Sequence, residues 1–252
     1  MLFDLKGKTA IVTGASSGLG EQFARALVRQ GADVAIIARR KDRLDMLAIE
    51  LRKQGGECLV IECDLKDEQN IINATSYITE KFHKIDILVN NAGISEFSAG
   101  LNDHTSEQWD KVLNINLKSI FLMSREVSKV MMKQKSGRII NIASIGSHQA
   151  GPSQISYHAA KSGVTGLTKA MAADLAPYNI TVNAIAPGIF RTEINQAVLD
   201  SEAANAYKSR IPLKRFGHSG ELDGALVYLA SDASSYTNAE IITVDGGMTA
   251  ML

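Results

Sequence analysis

The chain is predicted to fold as an α/β protein, a doubly wound parallel sheet in one domain. Three observations carry this: short apolar strand-like runs alternate with helix-period runs from start to end, those runs are apolar on both faces, and no linker interrupts them. Strands rich in Ile, Val and Leu without alternation are buried on both sides, as in parallel sheets covered by helices on each face. The intervening helices then serve as right-handed crossovers.

The elements follow in order. Lys8 to Thr13 reads as the first strand, bounded by a turn at Gly14, and Gly18 to Gln30 follows with Phe23, Ala26, Leu27 and Gln30 at helical spacing. Asp33 to Ala38 is a second buried strand. The next helix carries Leu44, Leu47, Ala48 and Leu51 and stops at Gly55-Gly56. Glu57 to Cys63, Ile85 to Asn90, Arg138 to Ala143, Ile180 to Ile185 and Glu240 to Val244 supply five further strands. With no repeat, low-complexity tract or Pro/Gly/Ser linker, residues 1–252 read as a single unit.

Composition narrows the function. Lysine plus arginine (27) equals aspartate plus glutamate (27), so no excess charge points to nucleic acid or an anionic membrane. A surface without net charge leans towards self-association. The amino terminus lacks the basic-then-apolar order of a secretion signal, and no apolar run reaches the roughly 20 residues of a membrane span. Cys58 and Cys63 lie an odd number of positions apart on one strand, face opposite ways, and match no zinc or redox spacing. A reducing cytoplasm and no bound metal are the expectations.

The loop Thr13-Gly14-Ala15-Ser16-Ser17-Gly18-Leu19-Gly20 joins the first strand to the first helix. A phosphate needs free backbone N–H groups and the positive end of a helix, with no side chains in the way. Glycines between a strand and a helix supply that, which marks a Rossmann-type dinucleotide site. The residue ending the second strand reads the adenosine ribose: an acid suits a 2′-hydroxyl and an arginine a 2′-phosphate. Here Ala38-Arg39-Arg40-Lys41 holds no acid. Arg39 is therefore assigned to a phosphate and NADP(H) preferred, with NAD(H) as the alternative cofactor. Arg40, Lys41 and Arg43 also read as a solvated helix start.

Tyr157 and Lys161 sit four apart on a helical stretch and share a face. A tyrosine near an ammonium favours its phenolate, which suits acid/base work at a carbonyl oxygen. Ser144 follows the strand Arg138 to Ala143, at the sheet edge where ligands bind. Asn90-Asn91-Ala92-Gly93 ends another strand on that edge, and its small residues let a flat ring approach the backbone. Asn116 lies in a helix that otherwise reads as core.

These residues, with Asp64 and Pro187-Gly188, give the chain a resemblance to the short-chain dehydrogenase/reductase family over essentially its whole length, in particular to 3-oxoacyl-carrier-protein reductases and gluconate-5-dehydrogenase-like members. The resemblance implies an oxidoreductase that interconverts a ketone and a secondary alcohol. It implies that Tyr157 is the general acid/base, that Ser144 polarises the carbonyl, and that Asn116 supports a water-mediated proton relay. Lys161 would lower the tyrosine pKa and hold the nicotinamide ribose. Cofactor contacts implied are Gly14, Ser16, Ser17, Gly18, Leu19 and Gly20 in the loop. Asp64 and Leu65 would border the adenine, with Asn91, Ala92 and Gly93 beside the ribose, and Pro187, Gly188, Ile189 and Thr192 would meet the nicotinamide. A homotetramer or dimer is also implied.

Two departures stand out. Ser17 precedes Gly18 where some NADP-preferring relatives carry a basic residue, and Tyr178-Asn179 stands where carrier-protein users carry one. Substrate contacts are expected from Ser144, His148, Gln154, Tyr157 and Phe190, with Ile194 nearby and a substrate loop over about residues 188–212. His148 otherwise reads as a solvated loop residue, and His158, about a hundred degrees around the helix from Tyr157, as pointing elsewhere. A regulator that binds NADPH without catalysis, or an epimerase that turns over no net cofactor, are the other function classes; the intact Asn116, Ser144, Tyr157 and Lys161 set argues against the first, and the few residues after Asp245-Gly246-Gly247 against the second.

Overall fold

A computed structural model describes residues 2–193, 195–201 and 203–250. The chain runs β1 (Thr9–Thr13), α1 (Gly18–Arg29), β2 (Asp33–Ala38), α2 (Lys41–Lys53), β3 (Cys58–Glu62), α3 (Glu68–Phe82), β4 (Ile87–Asn90), α4 (Ser106–Leu113) and α5 (Ser119–Gln134). It continues through β5 (Gly137–Ile142), α6 (Ile155–Leu175), β6 (Ile180–Pro187), α7 (Gln196–Leu199), α8 (Ala203–Arg210), α9 (Asp223–Ala230) and β7 (Ile241–Val244). Among the described residues the strands form one seven-stranded sheet in the order β3-β2-β1-β4-β5-β6-β7, parallel at every pairing. The expected doubly wound fold is present, and each strand begins and ends within a few residues of where the sequence puts it.

Alternation along the strands divides the core. Ala10, Val12, Val34 and Ile36 face α1, α2 and α9, where they meet Phe23, Leu27, Leu44, Leu47 and Leu226. Ile11, Ala35, Ile37 and Ile139 point the other way, against Ile71, Ile78, Leu122 and Val127 of α3 and α5. Successive strand side chains alternate faces, so a run apolar at every position builds both layers together. Cys58 falls in the first layer and Cys63 in the second, both as free thiols. No described helix is long and apolar enough to cross a membrane.

Local chemistry fixes several helix starts. Asp67 caps α3 by accepting from the backbone N–H groups of Gln69 (2.8 Å) and Asn70 (3.2 Å). Thr105 and Gln108 form a reciprocal capping box on α4. Between α4 and α5 the helix widens into a π-turn over Asn114–Lys118, which contains Asn116. The sequence reads that stretch as uninterrupted helix; such widenings recur at functional sites.

One buried polar ladder ties the sheet to the α5–α6 layer. Asn90 Nδ2 donates to Asn141 Oδ1 (2.9 Å) and Ser124 Oγ (3.0 Å), and Asn141 Nδ2 donates to Thr168 Oγ1 (2.9 Å). Asn141 and Thr168 are wholly buried. Removing the central amide strands its neighbours away from water. Asn141→Ala should therefore cost about 2–3 kcal/mol, a fall of roughly 5–10 °C in Tm by thermal unfolding.

Candidate active site

β1 pairs with β2 on one side and β4 on the other, so the chain winds away in opposite directions from the β1/β4 boundary. A crevice opens at the carboxyl ends of such strands. Here it is a cavity of about 460 Å³, within the range of small-molecule and cofactor sites. It brings together Gly14, Ser16, Ser17, Gly18, Leu19, Arg39, Asp64, Leu65, Asn91, Ala92, Gly93, Ser144, Tyr157, Lys161, Pro187, Gly188, Phe190 and Thr192. Gly20, Asn116, His148, Gln154 and Ile189 are not on its wall. Ile189 lines a smaller cavity behind Phe190, and Ile194 lies outside the described residues.

The glycine loop fits a phosphate-bearing ligand. Gly14 has φ +67°, and a Cβ there would stand 2.8 Å from Ala92 Cα; one on Gly20 would stand 2.3 Å from the Gly14 carbonyl oxygen. Only bare backbone permits this approach of the two loops. The first helix begins at Gly18 without a side-chain cap from Ser17. Its leading N–H groups therefore face the crevice with no partner from that residue, an arrangement suited to an anion.

Two site residues have structural partners that their sequence positions do not reveal. Asn91 Nδ2 donates to the carbonyl of Thr13 (2.9 Å), so its side chain stitches the loop after β4 to the end of β1. Gly20 acts through packing against Gly14 and not from the wall. Arg40, read from sequence as part of a solvated helix start, instead folds over the glycine loop. Its Nη2 donates to Ser17 Oγ (2.7 Å) and Ser16 Oγ (3.1 Å). Arg39 lines the same end of the cavity, exposed and with no hydrogen bond or ion pair among the described residues.

At the opposite end stand Ser144, Tyr157 and Lys161. Burial pushes the Tyr157 phenol above its ordinary value, and a hydrogen bond with Ser144 opposes that rise. Burial pushes Lys161 down to about 8. Its Nζ donates to the Ile142 carbonyl (2.7 Å) and lies 5.8 Å from the centre of the Tyr157 ring. Asn116 is fully buried: its Oδ1 accepts from the Ile94 N–H and its Nδ2 donates to the Ile94 carbonyl, both at 2.8 Å. A Cβ on Gly93 would come 3.6 Å from Asn116 Oδ1 and 3.8 Å from Lys161 Nζ, so the four expected catalytic residues surround one corner.

The segment carrying Ser144 is tied to α6 by a residue the sequence did not promote. His158 Nε2 accepts from the Gly151 N–H at 3.0 Å. A backbone amide can only donate, so Nε2 is unprotonated, and Nδ1–H donates to the Gly146 carbonyl at 3.0 Å. Ser147 Oγ adds a bond to the Lys161 carbonyl (2.9 Å). Gln154 Nε2 donates to Ser95 Oγ (2.7 Å), bracing the neighbouring loop. His148 is exposed on the same segment, as its reading as a solvated loop residue expects. Among the described residues no three His, Cys, Asp or Glu side chains converge on a metal-binding geometry.

Comparison with known proteins agrees with this arrangement. The family model adh_short_C2, described as enoyl-(acyl carrier protein) reductase, matches residues 14–249. The chain is 43% identical over 249 residues to the oxidoreductase YgcW of Escherichia coli K12, covering 97% of this chain and 94% of that one. It is 38% identical over 244 residues to the 3-oxoacyl-[acyl-carrier-protein] reductase FabG of Thermotoga maritima, covering 97% and 98%. A solved gluconate 5-dehydrogenase from Burkholderia cenocepacia J2315, in complex with NADP and tartrate, superposes with a TM-score of 0.96 at 36% identity, covering 100% of this chain and 98% of that one. Sheet order, glycine loop and the Ser144, Tyr157 and Lys161 corner thus belong together with these matches, and the chain is an oxidoreductase of the short-chain dehydrogenase/reductase family.

Proposed function

We propose that the protein uses NADP(H) to interconvert a ketone and a secondary alcohol, with Tyr157 as the general acid/base. The observation that carries this reading is the convergence of Ser144, Tyr157 and Lys161 at one end of a cleft whose other end holds the glycine loop and two arginines. The NADP held by the related gluconate 5-dehydrogenase supports the cofactor.

The cofactor, when bound, supplies or accepts the hydride at the substrate carbon. The chain does the rest. Ser144 Oγ donates to the carbonyl oxygen and orients it. The Tyr157 hydroxyl passes its proton to that oxygen as negative charge develops there. Lys161, charged at neutral pH, stabilises the resulting phenolate and holds the adjoining ribose. Asn116 fixes the Ile94 backbone beside that corner. In the oxidative direction each proton movement reverses.

For the substrate, we read a small polar keto acid or hydroxy acid of the sugar-acid kind. The gluconate 5-dehydrogenases among its relatives support this reading; Lys111 and Asn195 line the same cavity as Ser144, with Lys111 paired to Glu96. Tyr178-Asn179 offers no cation to an acidic carrier protein, which weighs against the 3-oxoacyl alternative. The exposed Trp109 and Phe121 on α4 and α5 support a homo-oligomer, dimer or tetramer. Buried Cys58 and Cys63, both pushed up to about 11 by burial, suit a cytoplasmic setting.

Turnover tested by loss of reduced-nicotinamide absorbance across keto-sugar acids, 3-oxoacyl thioesters, diketones and cyclic ketones would decide the substrate class. Activity confined to thioesters would overturn the sugar-acid reading. Tyr157→Phe should lower kcat by at least about 10²-fold while NADPH still binds; near wild-type turnover would remove Tyr157 from its role.

The pH profile gives a second test. Lys161 is charged below about 8 and neutral above it, whereas burial keeps Tyr157 protonated beyond its ordinary range. Carbonyl reduction should therefore fall as pH rises through about 8. In Lys161→Arg, whose guanidinium stays charged, any surviving activity should lose that alkaline limb.

A further inference from the structure

The adenosine end of the cleft already has an anion on its arginines. Arg40 spends Nε and Nη2 on Ser16 and Ser17, which leaves Nη1 for a carboxylate oxygen of Glu193 at 2.9 Å. Arg43, in the first turn of α2, meets the other oxygen of that carboxylate. Arg43, then Arg40, and a Ser17 hydrogen bond hold the Glu193 carboxyl at about 2, so it is ionised at any working pH. The contact joins residues 153 positions apart. It links the end of β2, where a dinucleotide fold reads the ribose, to the segment after β6 that carries Thr192.

We propose that Glu193 is a cofactor-specificity determinant, a tethered anion that occupies Arg40 and Arg43 and must yield them to the 2′-phosphate of NADPH. The inference rests on the NADP(H) reading above and adds the residue that opposes it. Charge supports the exchange. Of the three positive charges on Arg39, Arg40 and Arg43, Glu193 neutralises one, and a phosphate monoester near neutral pH brings about two negative charges in its place. The side chains of Arg40 and Glu193 are each more than two-fifths exposed, so the pair is held weakly enough to part.

With NADH the pair has no reason to open. The ribose then carries a hydroxyl, and a carboxylate is the acceptor such a hydroxyl takes. Glu193 therefore narrows the gap between the two cofactors: it competes with a phosphate and tolerates its absence. Because Glu193 adjoins Thr192, displacing it also acts on the segment that borders the substrate end.

The test is binding of NADPH, NADH and adenosine 2′,5′-bisphosphate to the full-length wild-type chain and to Glu193→Gln, by fluorescence titration. Removing the charge should tighten NADPH and the bisphosphate by about three- to tenfold and change NADH by less than about twofold. Glu193→Ala should move the same way. An unchanged NADPH-to-NADH ratio in both variants, or weaker NADPH in both, would overturn the inference. The wild-type ratio alone judges the cofactor reading: a wild-type chain that prefers NADH would overturn that reading, while the shift between wild type and variant still decides the role of Glu193.

Discussion

The site depends on how closely β1 and β4 are held at their carboxyl ends. Thr13 Oγ1 accepts from the backbone N–H of both Asn91 (2.9 Å) and Ala92 (3.1 Å) and donates to the Val89 carbonyl (3.4 Å). Asn91 returns a bond to the Thr13 carbonyl. These contacts bring Gly14 against the Ala92 backbone, at a distance that excludes any side chain. The crevice floor is thus backbone from both strands, and a flat ligand meets peptide groups of fixed direction. Buried backbone groups that are all paired do not rearrange cheaply.

From that floor the two ends of the cleft work by opposite electrostatics. At the chemical end, burial dominates: Lys161 is nearly inaccessible and its ammonium is held by the Ile142 carbonyl. Desolvation weakens its hold on the proton until its titration sits close to working pH. At the adenosine end the charges stay half in solvent and pair with one another. Interactions there are screened and exchangeable, as a site that must admit and release a large ligand requires. The π-turn at Asn116 belongs to the first regime, since it sets a buried amide against the Ile94 backbone beside Lys161.

Local pattern made much of this legible. The strands announce themselves as short apolar runs, and the glycine loop is recognisable because it lies between a strand and a helix. Tyr157 and Lys161 are four apart on one face, so their proximity is a property of the helix. The parts that were not legible are contacts across the fold. The spacing of Arg39 and Arg40 relative to β2 does not say which guanidinium reaches Ser16 and Ser17; the direction of each side chain at the strand end decides it, and Arg40 is the one that turns inward. His158 reads as pointing away from the phenol; its ring stands edge-on 6.0 Å from the Tyr157 ring, and its nitrogens meet the Gly146–Gly151 segment, whose path no periodicity encodes. Asn91 looks like a ligand contact by position; it lines the cavity and also stitches the two loops together, a second role its position does not reveal.

Glu193 shows the same limit most clearly. In sequence it is one acid among 27 acidic residues, next to a threonine that carries the stronger motif. Its meaning comes from a fold that carries the end of β6 back over the start of α2. There a single carboxylate meets two guanidinium groups that would otherwise repel each other across a narrow space. A free arginine cluster facing the adenosine ribose would bind any dianion and would leave NADH at a disadvantage. A cluster already neutralised in part discriminates only by the difference between a carboxylate and a phosphate. On the proposal for Glu193, cofactor preference is set by a competition within the protein, of which the arginines report only one side.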